Sequence, residues 1–442
     1  MKSKFPATFW TANTIELFER AAYYAVASFV VIYLNETLGM APTKSTFLNG
    51  TLLWGLIYFL PILSGTLADK FGFKKALSLA FILISLGYLV MGTLTQFWPG
   101  LSGQSGPHID YTLPVVVGII LIGVGGSFVK PVISGTVQKT SGAMTTLGFG
   151  IFYMVINIGS MTGRTVSYFV RTTFGIPAIF TYVATIAALI GLIITLLIYK
   201  EPQYQVATDT GAKPKTVGQA LIGMFTVLKN LKFVFFLVVI GFFWFIYVQL
   251  YNLIPLYLRF VDKEAPVELY TLMNPVMIVC FQLLITKFSK SWTPIKSIMA
   301  GVTVTVIGML LNIVPSLLGL SAETPVHLGA LVLPMAGIFI LISLASMAVG
   351  EMLASPRIYQ YIGAIAPKGQ EGLYLGYSNL PLALGTIVGA PIGGILFTEL
   401  VKNPTSQGLP AQTTLMWVIV ACMGVISLIG LYFYDRYLMK AH

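Results

Sequence analysis

The stretch FVFFLVVIGFFWFIYVQLYNLIPLYL, residues 233–258, has 26 residues and no Asp, Glu, Lys or Arg. As a helix rising about 1.5 Å per residue it would be about 39 Å long, more than the roughly 30 Å of hydrocarbon in a bilayer. The whole chain is written in the same way. Of its 442 residues, 56% are apolar and only 9% are charged, against about 25% charged in a soluble globular protein. A soluble fold of this size could not cover its surface with so few charges. A cytosolic enzyme, a disordered chain and a disulfide-stapled domain are excluded. The two cysteines, Cys280 and Cys422, lie in apolar runs and are read as packing residues. The formal net charge of +11 would suggest nucleic acid in a soluble protein. Here it fits basic cytoplasmic loops, and no nucleic-acid partner is expected.

The class expected is an all-α membrane protein. Twelve spans are read near 8–35, 44–68, 76–97, 112–138, 145–173, 176–199, 232–258, 266–286, 296–317, 329–362, 371–400 and 411–434. The runs are continuous, whereas barrel strands would alternate over about 10 residues. The longest polar stretch, 200–231, divides them into a six-span bundle at 1–199, a cytoplasmic linker and a second bundle at 232–442. The halves echo each other: LADKFGFKK after the second span resembles ITKFSKSW after the eighth. Repeated halves with a site near the midplane are the plan of alternating-access transporters. With both termini inside, seventeen basic residues fall on inner segments and five on outer ones. That bias predicts termini in the cytoplasm, and a multi-pass protein of a bacterial inner or plasma membrane is expected. No cleaved signal peptide is expected, because Glu16, Glu19 and Arg20 interrupt the first apolar run. His108 and His327 fall on predicted outer loops, and Asn35 and Asn49 begin Asn-x-Thr sequons.

Seven charges remain inside the spans: Glu16, Glu19, Arg20, Lys130, Arg164, Glu351 and Arg357. Each costs about 2.5–3.5 kcal/mol on insertion scales, so a polar cavity with ion pairs is expected. In ELFERAAYY, residues 16–24, Glu16 and Arg20 stand i,i+4 and Tyr23 and Tyr24 continue the stripe. Burial and a neighbouring cation act oppositely on a carboxylate's proton affinity, so the stripe is a candidate proton site. The alternative is an ion pair that orients helices without titrating. Lys130 sits in GVGGSFVKP, beside a proline that removes a backbone donor; snorkelling is its alternative role. Glu351 sits in GEMLASP, with Ser355 one turn on; a structural partnership with Arg357 or with a buried backbone group is the alternative. Arg164 and Arg357 are given no role. Tyr58, Asn157, Trp244, Gln249, Asn252 and Asn274 are further polar residues in apolar spans, each alone suited to a helix–helix hydrogen bond. Gly385, Gly389 and Gly393 read as a packing seam. There is no Gly-Lys pair for a nucleotide-binding loop, no metal-ligand cluster and no catalytic triad spacing. The chain is expected not to be an enzyme and to need no cofactor beyond protons as the coupling ion.

These residues resemble one family. ELFERAAYY is similar to the helix 1 motif of the proton-dependent oligopeptide transporters, a branch of the major facilitator superfamily. GTLADKFGFKK resembles the superfamily's loop between helices 2 and 3. VKP, FGIFYMVINIGS, FFWFIYVQ, the Asn274–Pro275 pair and GEMLASP resemble the branch's helix 4, 5, 7, 8 and 10 patterns, in order along the chain. The resemblance implies the superfamily fold, with twelve helices in two six-helix bundles. The linker is too short for the two extra helices common in bacterial peptide transporters. It further implies proton coupling by Glu16, Glu19, Arg20, Lys130 and Glu351. The substrate site would be lined by Arg20, Tyr23, Tyr24, Tyr58, Lys130, Asn157, Trp244, Gln249, Asn274, Glu351 and Ser355. Ala27 stands where family members commonly carry a second basic residue, and Val248 where an acid often precedes the helix 7 glutamine. The first departure puts ordinary di- and tripeptides in question.

The expected function is therefore proton-coupled symport of small zwitterionic or anionic solutes, di- and tripeptides or peptide-like compounds, by alternating access. The protein would act as a monomer, with a small-molecule substrate and the lipid bilayer as its partners. The alternative is a proton-linked transporter of another small metabolite or drug, including an antiporter that exports it.

Overall fold

The computed structural model describes residues 5–106, 108–202, 227–329, 331–366, 374 and 377–438; most of the predicted linker lies outside them. Long helices dominate: α1 (Ala7–Ala27), α2 (Pro42–Phe59), α3 (Leu63–Phe71), α4 (Phe73–Ser102), α5 (Thr112–Ser141), α6 (Thr145–Phe174) and α7 (Ile176–Leu197). They are followed by α8 (Leu231–Val261), α9 (Val267–Phe288), α10 (Pro294–Leu317), α11 (Met335–Ile365), α12 (Leu380–Ser406) and α13 (Thr413–Leu438). Among the described residues, nine helices are long and apolar enough to cross a membrane. The number rises to eleven if two bent pairs each count as one span: α1 with Val30–Thr37, bent by 42°, and α2 with α3, bent by 41°. Pro61 explains the second bend, since it lacks the N–H that would continue the ladder. The twelve crossings expected from sequence thus become nine to eleven by length and composition. Helix α6, at 30 residues, is long enough but too polar to join them: Asn157, Ser160, Arg164, Ser167 and Arg171 interrupt it.

The chain forms two compact units, one from Met1–Ala27 with Leu56–Phe225 and the other from Ser28–Gly55 with Thr226–His442. In the first unit, close helix pairs are made by small residues. A Cβ on Gly87 of α4 would lie 2.9 Å from the Gly118 carbonyl of α5, and one on Gly125 would lie 2.7 Å from the Ala80 carbonyl. In lipid there is no hydrophobic drive between helices, so such close backbone contact supplies the packing. Gly159 and Gly163 of α6 abut α1 in the same way, at Leu17, Arg20, Ala21 and Ala25.

The second unit takes in Ser28–Gly55 through buried polar contacts. Ser28 Oγ is 2.8 Å from Thr271 Oγ1, and Asn49 Nδ2 donates to Asn252 Oδ1 at 3.1 Å. Arg259 grips Glu36 through two nitrogens, at 3.0 and 2.8 Å. Asn49 is fully buried, so its sequon is not available at the surface. The glycine seam read from sequence is present: Gly385 and Gly389 bring α12 against Gly241, Trp244, Phe245 and Val248 of α8.

Two expectations are corrected. The tenth span does not begin at 329. Pro325–Leu328 (β1) and Leu331–Pro334 (β2) pair as an antiparallel hairpin, which places His327 opposite Val332, and α11 starts at Met335. Periodicity alone does not separate the short apolar run 331–334 from the start of a helix. Helix α12 is described from Leu380; most of the predicted start of that span, 371–376, lies outside the described residues. Cys280 and Cys422 are free and exposed, and do not pack inside a bundle. Large apolar residues of the same unit, such as Leu283 and Ile429, are exposed as well, as expected where lipid replaces water.

Candidate functional site

Helix α1 shows why the ELFERAAYY spacing matters. Positions three and four apart share one face of a helix, so residues 16, 19, 20, 23 and 24 form one stripe. Glu16 and Glu19 are buried, at 0% and 3% exposure, while the Arg20 side chain keeps 11%. Arg20 Nε lies 3.4 Å from Glu16 Oε1 and donates a short hydrogen bond to Glu19 Oε2. One guanidinium thus serves two carboxylates. Its Cζ also stands 5.0 Å from the Tyr23 ring and 6.0 Å from that of Tyr24, and the two rings meet edge to face at 5.0 Å. The close fit of α6 is set by Gly159, where a Cβ would come within 2.8 Å of Arg20 Cβ. Asn157, two residues earlier, is buried and donates to the Tyr153 carbonyl of its own helix at 2.9 Å. Tyr58, on α2, is half-buried.

Lys130 stands apart. Helix α5 runs unbroken through Pro131, and Lys130 is exposed on it. Among the described residues it is in no ion pair; Arg20 pairs with both acids of the stripe, and the Lys130 charge acts on Glu16 from further away. The sequence assigns Arg164 no role. It is in fact buried, at 1% exposure, donates to Ser160 Oγ and sits with Cζ 4.6 Å from the Tyr24 ring. Helical spacing could have flagged it: Ser160, Arg164 and Ser167 share one face of α6, and a Gly follows the same rhythm at 159 and 163.

The second unit holds a different arrangement. Asn274 of α9 donates through Nδ2 to Glu351 Oε2 of α11 at 3.1 Å. Ile278, Ala348 and Met352 pack together beside that bond and fix the two helices there. Pro275 follows Asn274 without ending α9, and withholds the donor that would reach the Thr271 carbonyl. One turn beyond Glu351, the Ser355 Oγ is buried with no hydrogen-bond partner among the described residues. The same is true of Trp244 Nε1, whose ring meets Tyr247 at 5.1 Å. Arg357 does not pair with Glu351. It donates to the Ser289 carbonyl at 2.8 Å and to Gln360 at 2.7 Å.

Gln249 is not placed with these groups. It is fully buried and donates to the carbonyls of Phe245 and Gly389, both at 2.9 Å, across the α8–α12 seam. Asn252 is likewise buried, bonded to Val248 and Asn49. The acid that sequence reading passed over is Glu268, in the first turn of α9 and 0% exposed. Its place at a predicted span end gave no sign that it would be covered.

The pattern that defines the Major Facilitator Superfamily matches residues 14–346. The chain belongs to the Major Facilitator Superfamily. Among its relatives, this superfamily member is similar to dipeptide and tripeptide permease A of Pectobacterium carotovorum subsp. carotovorum, with 26% identity over 215 residues. That match takes in 48% of this chain and 38% of the permease, so the chain spans well under half the length of that curated relative. Its fold is that of proton-dependent oligopeptide transporters. One solved structure, described as giving insight into substrate recognition in those transporters, superposes with a TM-score of 0.73 at 20% identity, over 97% of this chain and 99% of the other. A crystal structure of a POT family transporter in complex with 5-aminolevulinic acid also gives 0.73, at 18% identity, over 98% and 96%. The protein is a multi-pass membrane protein of this superfamily.

Proposed function

We propose that this protein is a proton-coupled symporter that imports small zwitterionic or anionic solutes, di- and tripeptides or peptide-like compounds, by alternating access. The observation that carries the reading is the shared guanidinium of Arg20, with Glu16 and Glu19 both drawn to it inside a membrane helix. Removing one partner from a buried ion pair costs about 3–5 kcal/mol. A proton that neutralises one carboxylate therefore frees part of Arg20 for another anion, and the carboxylate of a solute is the natural one. Proton and solute then enter together. Each proton is worth about 2.3 kcal/mol per 100 mV, enough to drive accumulation. The dipeptide and tripeptide permease relative and the 5-aminolevulinic acid complex of a POT family transporter support this solute class, since both kinds of solute join an amine to a carboxylate.

In this reading Glu351 takes the solute's amino group. Tyr23, Tyr24, Tyr58, Asn157, Trp244, Asn274 and Ser355 line the path, with Lys130 pairing with the stripe at another stage of the cycle. The seventeen-to-five distribution of basic residues supports cytoplasmic termini and an inner-membrane location. We further take the single chain as the working unit.

The test is uptake of radiolabelled alanyl-alanine into proteoliposomes under an inward acid gradient. Accumulation that collapses with a protonophore and is lost in Glu16→Gln is expected. Uptake indifferent to the gradient would overturn the symport reading. Accumulation driven instead by an acidic interior would assign the opposite direction.

A further inference from the structure

We propose that Arg164 is a positioning residue for the solute's anionic group: a second guanidinium that acts on the ligand site from behind Tyr24. This rests on the symport reading above and adds a residue and a chemical requirement to it. Arg164 is the twentieth residue of the 30-residue helix α6. It therefore lies about 15 Å from the nearer helix end, beyond the reach of a snorkelling side chain. It is 1% exposed, one of the largest side chains buried in the protein. A guanidinium cannot lose its proton, so its charge stays in place wherever it is buried. Four features fix its position. Nη1 donates to Ser160 Oγ one turn back, and Cζ stands 4.6 Å from the Tyr24 ring. Gly163, the preceding residue, presses α6 on α1 at Ala21 and Ala25, and Ser167 Oγ donates to the Ala25 carbonyl at 3.0 Å.

Tyr24 thus carries a guanidinium contact from each of two helices, Arg20 from its own and Arg164 from α6. Arg20 and Tyr24 are partly exposed and Arg164 is not. A ligand reaches the first two and meets the field of the third, which water does not screen. Within the spans of this unit the sequence places Arg20, Lys130 and Arg164 against Glu16 and Glu19. The balance is one positive charge in excess, and it becomes two when either acid takes a proton. The group that this arrangement selects is an anion beside Tyr24, a carboxylate in a peptide-like solute. A ligand that lacks it would be disfavoured by both guanidiniums.

The experiment uses the full chain in proteoliposomes with alanyl-alanine and alanyl-alaninamide as probes, which differ in the C-terminal charge. For the wild type, KM for the free acid should be about a hundredfold lower than for the amide, the weight of one charge-assisted interaction from each guanidinium. Arg164→Met should raise KM for alanyl-alanine about tenfold with kcat little changed, and should leave KM for the amide within about twofold. Arg164→Lys, which keeps the charge, should recover most of the loss. A purely structural role predicts that both probes suffer together, or that melting temperature and kcat fall while the KM ratio stays; either result overturns the proposal. Should Arg164→Met fail to fold, the wild-type comparison still decides: equal KM for acid and amide overturns it. Failure of the underlying reading looks different, because the wild type would then accumulate neither probe under an inward acid gradient.

Discussion

The two units hold the acids within their spans in different ways. In the first, Glu16 and Glu19 share the cation Arg20, with tyrosine rings around it and a second guanidinium behind. In the second, Glu351 receives a hydrogen bond from a neutral amide, Asn274, against an apolar backing of Ile278, Ala348 and Met352. An ion pair responds to protonation by releasing a charged partner, and so can pass the event on. In the proposed function, proton coupling belongs to the first unit and recognition of an amine to the second.

The largest effect should come from Glu16→Gln with Glu19→Gln. Gradient-driven accumulation of alanyl-alanine is expected to fall by about a hundredfold, while exchange of labelled for unlabelled dipeptide at equal pH persists. If exchange is lost as well, the stripe binds solute and does not merely couple it. Next in size is Arg20→Met, which leaves two carboxylates buried without their cation. A loss of about 3–5 kcal/mol in stability is expected, read as a lowered melting temperature in detergent, and partial recovery on adding Glu19→Gln would show that the uncompensated charge is the cause. Glu351→Gln should weaken affinity for alanyl-alanine about tenfold and leave N-acetyl-alanyl-alanine unaffected, the scale of one hydrogen bond to a charged group. Equal losses for both would remove the amine contact from the second unit. The smallest effect should be that of Gln249→Leu. Its bonds to Phe245 and Gly389 are structural, so a stability change of about 1–2 kcal/mol or less is expected, with KM unchanged. A raised KM would return Gln249 to the ligand site.

How much of this could be read in advance differs between the helices. The ELFERAAYY stripe was legible because its groups lie on one helix, where spacing dictates adjacency: the Glu16–Arg20 pair and the Tyr23–Tyr24 contact both formed. The Asn274–Glu351 bond was not legible from spacing, since its partners lie 77 residues apart on different helices. Gln249 shows the opposite failure. Its motif pointed to a ligand site, but the close approach allowed by Gly389 gave its amide backbone carbonyls instead.

Composition and pattern determined the membrane class, the helical content and the stripe on α1, because bilayer thickness and the helical repeat act on residues near one another in the chain. Tertiary packing alone decided that Arg164 stands behind Tyr24, that Glu268 is covered and that Asn49 is bonded to Asn252. Each of these depends on how closely two helices approach. That distance is set where small side chains on one helix meet backbone on another, a match no single segment encodes by itself.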